Sequence, residues 1–506
     1  MKKSLKIMLG FALFFTNLIV TINAQNLPEI SDSIYSNTLK EQRLIKIRMP
    51  EQYKPGSDKK YEVIYMIDGE WNMELYSFIF NFTKGENFVP PVIFVAIPNT
   101  YINGANMRDR DFLPQKVADN KLAGGADNMI GFLKNELIPY IDKKYPTNGD
   151  NSLFGHSYGG LFTMYVLLTN PQLFNTYYCS DPSFWWNNNF MNKLALKTFE
   201  STTELDKTLW INGIESTYKG MGIQTMDSIL KLKAPKKLNW KMAAFPNETH
   251  NSVRFKGIYD GIKFAYSGYT NSKIEFHPMT GVLLKDKPVK IYLVNYNPEI
   301  HYTTDGTEPM NTSAKAERVF EITGSAKLAL KSVTNKKNYG TATKGNFEIG
   351  HVFPSIQKLK NAKSGGLKYS YYEGKWDSLP DFKKLKPIKT GIADSAFNLS
   401  KMQSPNNFAC VLEGYYKIET DGYYTFGLDS DDGSKLFLNN QLLINNDGLH
   451  GMGNFKSYVV PLQKGFYPVR IEFFQREGGS DLQVLYLTPG SDRPAPIPYS
   501  QQFSTK

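Results

Sequence analysis

The stretch Ser152–Phe162, SLFGHSYGGLF, decides how the first half of this chain is read. An apolar run ending at Gly155 leads into His156, Ser157, Tyr158, Gly159 and Gly160, and a second apolar run continues from Leu161 to Leu168. A G-x-S-x-G turn between a strand and a helix forms a nucleophile elbow: glycines without Cβ atoms let the chain fold back sharply, and the serine hydroxyl stands clear of the backbone. The same glycines would serve an ordinary tight turn. The partners that would make Ser157 reactive must therefore come from the rest of the chain.

Outward from the turn, residues 61 to about 266 alternate short apolar β-rich runs with longer amphipathic ones. YEVIYMI (Tyr61–Ile67) and VIFVAI (Val92–Ile97) read as strands buried on both faces. ADNMIGFLKNELIPYIDKKY (Ala126–Tyr145) repeats apolar residues at helical spacing through Met129, Phe132, Leu133 and Leu137. TLWING (Thr208–Gly213) and WKMAAF (Trp240–Phe245) read as further strands, with helices between and after them. This alternation predicts a mainly parallel sheet flanked by helices.

A serine hydroxyl is a weak nucleophile until a base takes its proton. In such a fold the triad runs Ser, acid, His along the chain, with the His in the loop after the last strand. Of six histidines, His156 adjoins the nucleophile and points from the opposite side of the strand end. His277, His301, His351 and His450 lie beyond a change in sequence texture. His250, in FPNETHNS, remains as the base. The acid is expected after the penultimate strand, where LWINGIEST places Glu215; Asp206 precedes that strand and Asp227 falls within a helix. Two backbone N–H groups should face the oxyanion: that of Tyr158 at the start of the new helix, and one from DGEW (Asp68–Trp71), near Glu70. Trp71, Arg108, Trp185 and Trp186 are candidate substrate contacts. Arg108, Arg110 and Asp111 either position substrate or tie down a loop.

After Tyr269 helical periodicity stops, and short alternating strands with Gly, Asn and Asp turns take over. VKIYLVN, EIHYTTDGTEP and KLALKSVT form one small all-β region, and LKNAKSGG (Leu359–Gly366) separates it from a second. A chain of 506 residues exceeds one hydrophobic core, so several domains are expected.

The N-terminus carries Lys2, Lys3 and Lys6, an apolar run from Ile7 to Ile22 and a small residue at Ala24, the layout of a secretory leader cut after Ala24. The mature protein is therefore expected to be exported, whether periplasmic, cell-surface or extracellular, with no membrane span. Removing the three leader lysines lowers the net charge from +11 to +8. The remaining basic residues are scattered, without Arg interleaved among aromatics, so nucleic acid is not an expected partner. Cys179 and Cys410 fall in different segments, and no disulfide is expected.

Together DGEW, RDRDFLP (Arg108–Pro114), the Gly124–Tyr145 segment, LFGHSYGGLF, DPSFWW (Asp181–Trp186) and the histidine of NETHNSV resemble the putative-esterase family of α/β-hydrolases, over about residues 30 to 268. That family includes esterase D, feruloyl and acetyl esterases and ferric-siderophore esterases. The resemblance implies Ser157 as nucleophile, His250 as base and Glu215 as acid, with no cofactor for catalysis; many relatives have Asp as the acid. EIHYTTDGTEPMNTS resembles the C-terminal immunoglobulin-like β-sandwich of chitobiase and hexosaminidase. GLKYSYYEGKWDSLPDF, DGYYTFGLDSDDGSKLFLNN and NDGLHG resemble the protective-antigen-type β-barrel, or jelly-roll, domain. In sugar-binding relatives of that domain a pair of Asp residues holds Ca²⁺, and Asp431 and Asp432 match the pair.

The expected organisation is a leader over 1–24, an esterase domain over 25–268, a β-sandwich over 272–350 and a β-barrel, glycan-binding module over 362–503. The function expected is hydrolysis of acetyl or feruloyl esters on polysaccharide through an acyl-enzyme. The alternatives are a ferric-siderophore (catecholate triester) esterase and a catalytically inactive carbohydrate-binding surface protein.

Overall fold

The structure, a computed structural model, describes residues 29–334, 336, 339–393 and 406–505. The leader and its cut after Ala24 lie outside the described residues. The chain divides into two compact units, Met1–Phe82 with Pro91–Gly261 and Thr83–Pro90 with Ile262–Lys506.

The first unit is built on eight strands: β1 (Glu29–Ser36), β2 (Glu41–Arg48), β3 (Tyr61–Ile67), β4 (Val92–Ile97), β5 (Thr147–His156), β6 (Thr176–Ser180), β7 (Thr208–Ile214) and β8 (Asn239–Phe245). They lie in the order β1-β2-β4-β3-β5-β6-β7-β8. The pairings of β1 with β2 and of β2 with β4 are antiparallel, and all others are parallel. Every residue of β3, β4, β6 and β7 is buried, as expected of strands covered on both faces. By contrast β1 and β8, at the two edges, keep much of their surface in water.

Helices α1 (Gly69–Gly85), α2 (Arg108–Phe112), α3 (Ala126–Phe132), α4 (Ile138–Lys144), α5 (Tyr158–Thr169), α6 (Trp186–Ser201), α7 (Ile223–Lys233) and α8 (Val253–Ala265) connect or follow these strands. The long amphipathic segment read as one helix is α3 and α4 joined by a π-helical turn, Leu133–Leu137, whose apolar residues enter the core. In α5 every residue from Gly159 to Leu168 is buried, so it packs as an internal helix. Strand order reverses between β3 and β5. Open α/β sheets bind their ligands at such a switch point, outside the carboxyl ends of the strands.

The second unit is β-rich. A three-stranded sheet (Phe276–His277, Val289–Leu293, Val319–Ile322) shares a core with part of a nine-stranded sheet. That larger sheet contains strands of both β regions, because Thr280–Leu283 pairs in parallel with Lys456–Leu462 at Thr280–Tyr458 and Gly281–Val459. A Cβ on Gly281 would stand 2.1 Å from the Val459 carbonyl oxygen, so this junction requires glycine. An eight-stranded sheet holding Phe408–Ile418 and Gly465–Gln475 completes the unit. Cys179 and Cys410 are both free and buried, and burial pushes the Cys410 thiol up to about 12.

Candidate active site

Ser157 occupies φ 60°, ψ −120°, a region that a non-glycine residue enters only when its surroundings force it. Its own N–H donates to the Ser180 carbonyl (3.0 Å), and its carbonyl accepts from the amides of Leu161 (3.0 Å) and Ser183 (3.2 Å). The elbow is thus stitched to the end of β6 as well as to its own helix. A Cβ on Gly155 would lie 2.1 Å from the Gly159 carbonyl oxygen, which leaves room only for glycine there. On Gly160 a Cβ would come 3.0 Å from Pro182, so the DPSFWW segment packs directly onto the turn.

His250 follows β8 and turns its imidazole toward the same strand ends. Its Nδ1 lies 2.6 Å from Asp181 Oδ2. Asp181 directly follows β6, is 1% exposed and takes φ 40°, a conformation that Asp tolerates better than most residues. With Nδ1 committed to the carboxylate, Nε2 is the nitrogen free to exchange a proton. Ser157 Oγ lies 3.3 Å from Ser183 Oγ, so the segment 181–183 touches both the nucleophile and the base.

This geometry corrects the expected acid. Glu215 opens a single 3₁₀ turn, Glu215–Thr217, at the end of β7, where it is exposed, and its carboxylate makes no hydrogen bond to a described residue. The turn presents Ser216 and Thr217 to the site instead. Asp181 was visible in the sequence as an Asp placed directly after the strand next to the elbow strand.

His156, the other histidine near the elbow, is 8% exposed and faces the His250 backbone. Its Nε2 is 2.6 Å from the His250 carbonyl oxygen, and the two rings lie 4.4 Å apart. Burial, followed by the nearby His250 and Arg254, lowers its pKa to about 3.

Helix α5 begins at Tyr158, whose N–H, like those of any first helical turn, has no partner within the helix. At the start of α1 the amides of Trp71 and Asn72 already donate to the Asp68 carbonyl, which leaves those of Gly69 and Glu70. The Glu70 side chain accepts from the backbone and side-chain nitrogens of Asn99. Arg108 fixes this loop to the elbow. Its Nε and Nη2 grip the buried Asp68 carboxylate at 2.6 and 2.8 Å, and Nη2 also donates to the His156 carbonyl at 3.1 Å. These contacts are those of a loop anchor, and Arg108 also borders the cleft. Arg110 and Asp111 are anchors too: Arg110 holds Glu41 through two hydrogen bonds, and Asp111 pairs with the buried Arg43.

A cleft of about 560 Å³ opens over these groups, bordered by Arg108, Ser157, Asp181, Trp185, Glu248 and His250 among others. Trp185 is 46% exposed with its ring 6.4 Å from that of Tyr158, whereas Trp186 is buried in the core. Trp71 is exposed and lies 5.8 Å from the Arg108 guanidinium, outside the residues that line the cleft.

In the second unit Asp431 and Asp432 sit at the end of a strand, Gly422–Asp431. The two Asp432 oxygens accept the amides of His450 (3.1 Å) and Arg476 (2.9 Å). Asp431 accepts no hydrogen bond from a described residue, and burial together with Asp432 raises its pKa. Among the described residues no group of three or more His, Cys, Asp or Glu gathers to hold a metal. A hard cation would fit this carboxylate pair only with backbone carbonyls and water completing its shell.

Residues 36–213 match the family described as Putative esterase, and residues 363–498 match the PA14 domain. The chain is 28% identical over 169 residues to the siderophore triacetylfusarinine C esterase of Aspergillus fumigatus, covering 32% of this chain and 58% of that protein. It is 31% identical over 189 residues to the ferri-bacillibactin esterase of Bacillus subtilis, covering 34% and 65%. Among solved structures, an IroE-like serine hydrolase from Shewanella oneidensis is 31% identical, with 48% of this chain and 81% of that one covered and a TM-score of 0.43. The chain spans less than two thirds of the length of the curated relatives it matches.

Proposed function

We propose that this chain, which belongs to the Putative esterase family and carries a PA14 domain, hydrolyses carboxylic esters through an acyl-enzyme on Ser157. The observation that carries this reading is the strained Ser157 turn sharing one cleft with a histidine whose Nδ1 is held by a buried carboxylate. In the proposed cycle His250 Nε2 takes the Ser157 proton as Oγ attacks the ester carbonyl. Asp181 orients the imidazole and stabilises its charged form. The Tyr158 amide, with that of Glu70 or Gly69, stabilises the oxyanion; His250 then returns the proton to the leaving alcohol, and water repeats the sequence to release the acid. No cofactor enters this cycle. Ser157→Ala tests it: hydrolysis of p-nitrophenyl acetate should vanish, and survival of the activity would refute it.

Two substrate classes are each supported by a separate observation. Siderophore triesters are supported by the relatives named as siderophore esterases. Acetyl or feruloyl esters on polysaccharide are supported by the PA14 match and by a cleft whose one bordering guanidinium, Arg108, is already paired with Asp68. A panel of a catecholate triester, acetylated xylan and methyl ferulate decides between them by kcat/KM. We read residues 272–350 as an immunoglobulin-like sandwich and 362–503 as a β-barrel that holds glycan, with Ca²⁺ at Asp431 and Asp432. Glycan binding by the full chain with and without a chelator tests that reading. Export is proposed on the leader-like N-terminus, and among the described residues no helix is long and apolar enough to cross a membrane.

A further inference from the structure

His156, the residue immediately before the proposed nucleophile, is the last residue of β5 and almost fully buried. A carbonyl oxygen can only accept, so the 2.6 Å contact with His250 requires that His156 Nε2 carry a proton and donate it. Burial beside His250, Arg254 and Arg108 keeps this imidazole neutral. The loop that carries the base is consequently fixed twice, through the His250 side chain to Asp181 and through the His250 backbone to His156. The second tie comes from the strand that presents Ser157, so nucleophile and base loop share one rigid support.

We propose that His156 is a positioning residue for His250: its Nε2–H holds the His250 carbonyl and its ring packs on the His250 imidazole, setting the base in register with Ser157. The proposal rests on the esterase reading only for its kinetic consequence. Without the tie, Asp181 still grips Nδ1, but the backbone that carries the imidazole is released. A displacement of about 1 Å in a reacting group is enough to cost on the order of 10²-fold in rate.

Two variants separate the hydrogen bond from the ring contact. His156→Phe keeps a ring without the donor, and His156→Gln keeps an N–H at similar reach without the ring. On p-nitrophenyl acetate the Phe variant should lose at least about tenfold in kcat with KM unchanged, and the Gln variant should recover most of that loss. If the Phe variant does not fold, His156→Asn, too short to reach the carbonyl, takes its place. A readout independent of turnover is the downfield proton resonance of His250 Nδ1–H bound to Asp181: its exchange with water should be faster in the Phe or Asn variant than in the wild type and the Gln variant. Wild-type kcat and exchange in the variant without the donor would overturn the proposal, as would a Gln variant as impaired as the Phe one. Should wild type and Ser157→Ala hydrolyse esters equally, the esterase reading fails instead, and the proton exchange still decides whether His156 holds the base.

Discussion

His250 Nδ1 and Asp181 Oδ2 are 2.6 Å apart, and the carboxylate is shut off from water. The carboxylate that meets the imidazole therefore comes from the end of β6, next to the nucleophile strand, rather than from the end of β7. Asp181→Asn would preserve the shape but offer an amide to the imidazole and favour the wrong tautomer, an exchange that lowers kcat by about 10⁴ in a Ser-His-Asp site. Glu215→Gln, at an exposed position without a partner, should leave kcat within about twofold. Both are read on p-nitrophenyl acetate, and the opposite ranking would return the acid to Glu215.

Arg108 joins the Asp68 loop, where an oxyanion donor is expected, to the carbonyl next to Ser157. Lysine keeps the charge but not the two-pronged grip, so Arg108→Lys should cost about 1.5–3 kcal/mol, the value of a hydrogen bond to a charged group. The loss should appear in urea unfolding and be accompanied by a fall in kcat that exceeds any rise in KM. A variant that changes KM alone would make Arg108 a substrate contact.

The elbow, the parallel sheet and the position of His250 were legible because each leaves a local signature. Gly155 admits no Cβ, β4 is apolar throughout and β3 apolar but for Glu62, and His250 is the one histidine in the loop after the last strand. The hairpin β1–β2 was not read, since its edge position leaves polar and apolar residues mixed in EISDSIYS. The carboxylate partner of His250 was not legible because chain order marks candidate carboxylates but not their direction: Glu215 enters a 3₁₀ turn facing water, whereas Asp181 turns inward at a positive φ. The contact of His156 with His250 joins residues 94 apart and depends on how the last loop folds over the neighbouring strand ends. No spacing rule reports it.

Trp185 and Trp186 are adjacent in sequence and opposite in environment. Trp186 is 4% exposed and belongs to the core, so Trp186→Ala should destabilise the first unit by about 3–5 kcal/mol. Trp185 is 46% exposed at the cleft, so Trp185→Ala should change stability by no more than about 0.5 kcal/mol while raising KM for aromatic esters over acetate esters. Thermal unfolding and KM measured on methyl ferulate and p-nitrophenyl acetate check both. A Trp185 variant with unaltered KM on every ester would remove this ring from the substrate path.

Acid should loosen the protein through His156. Its pKa in the folded chain is lowered from 6.5 to about 3, chiefly by burial, so the unfolded chain binds this proton far more readily. A depressed folded pKa means that the contribution is complete above 6.5 and is lost progressively as the pH falls from there toward about 3, at up to about 1.4 kcal/mol per pH unit for one proton. Paired carboxylates such as Asp32 and Glu41 add to acid sensitivity only below their own ordinary values of 3.8 and 4.5, and the buried His277 titrates equally in wild type and variant. Between pH 6.5 and about 4.5 the wild type should therefore lose stability more steeply than His156→Gln, whose side chain does not titrate. Urea unfolding of both proteins at several pH values across that window measures the difference. Parallel curves would mean that His156 can take up its proton in the folded state, by turning away from the His250 carbonyl or gaining access to water.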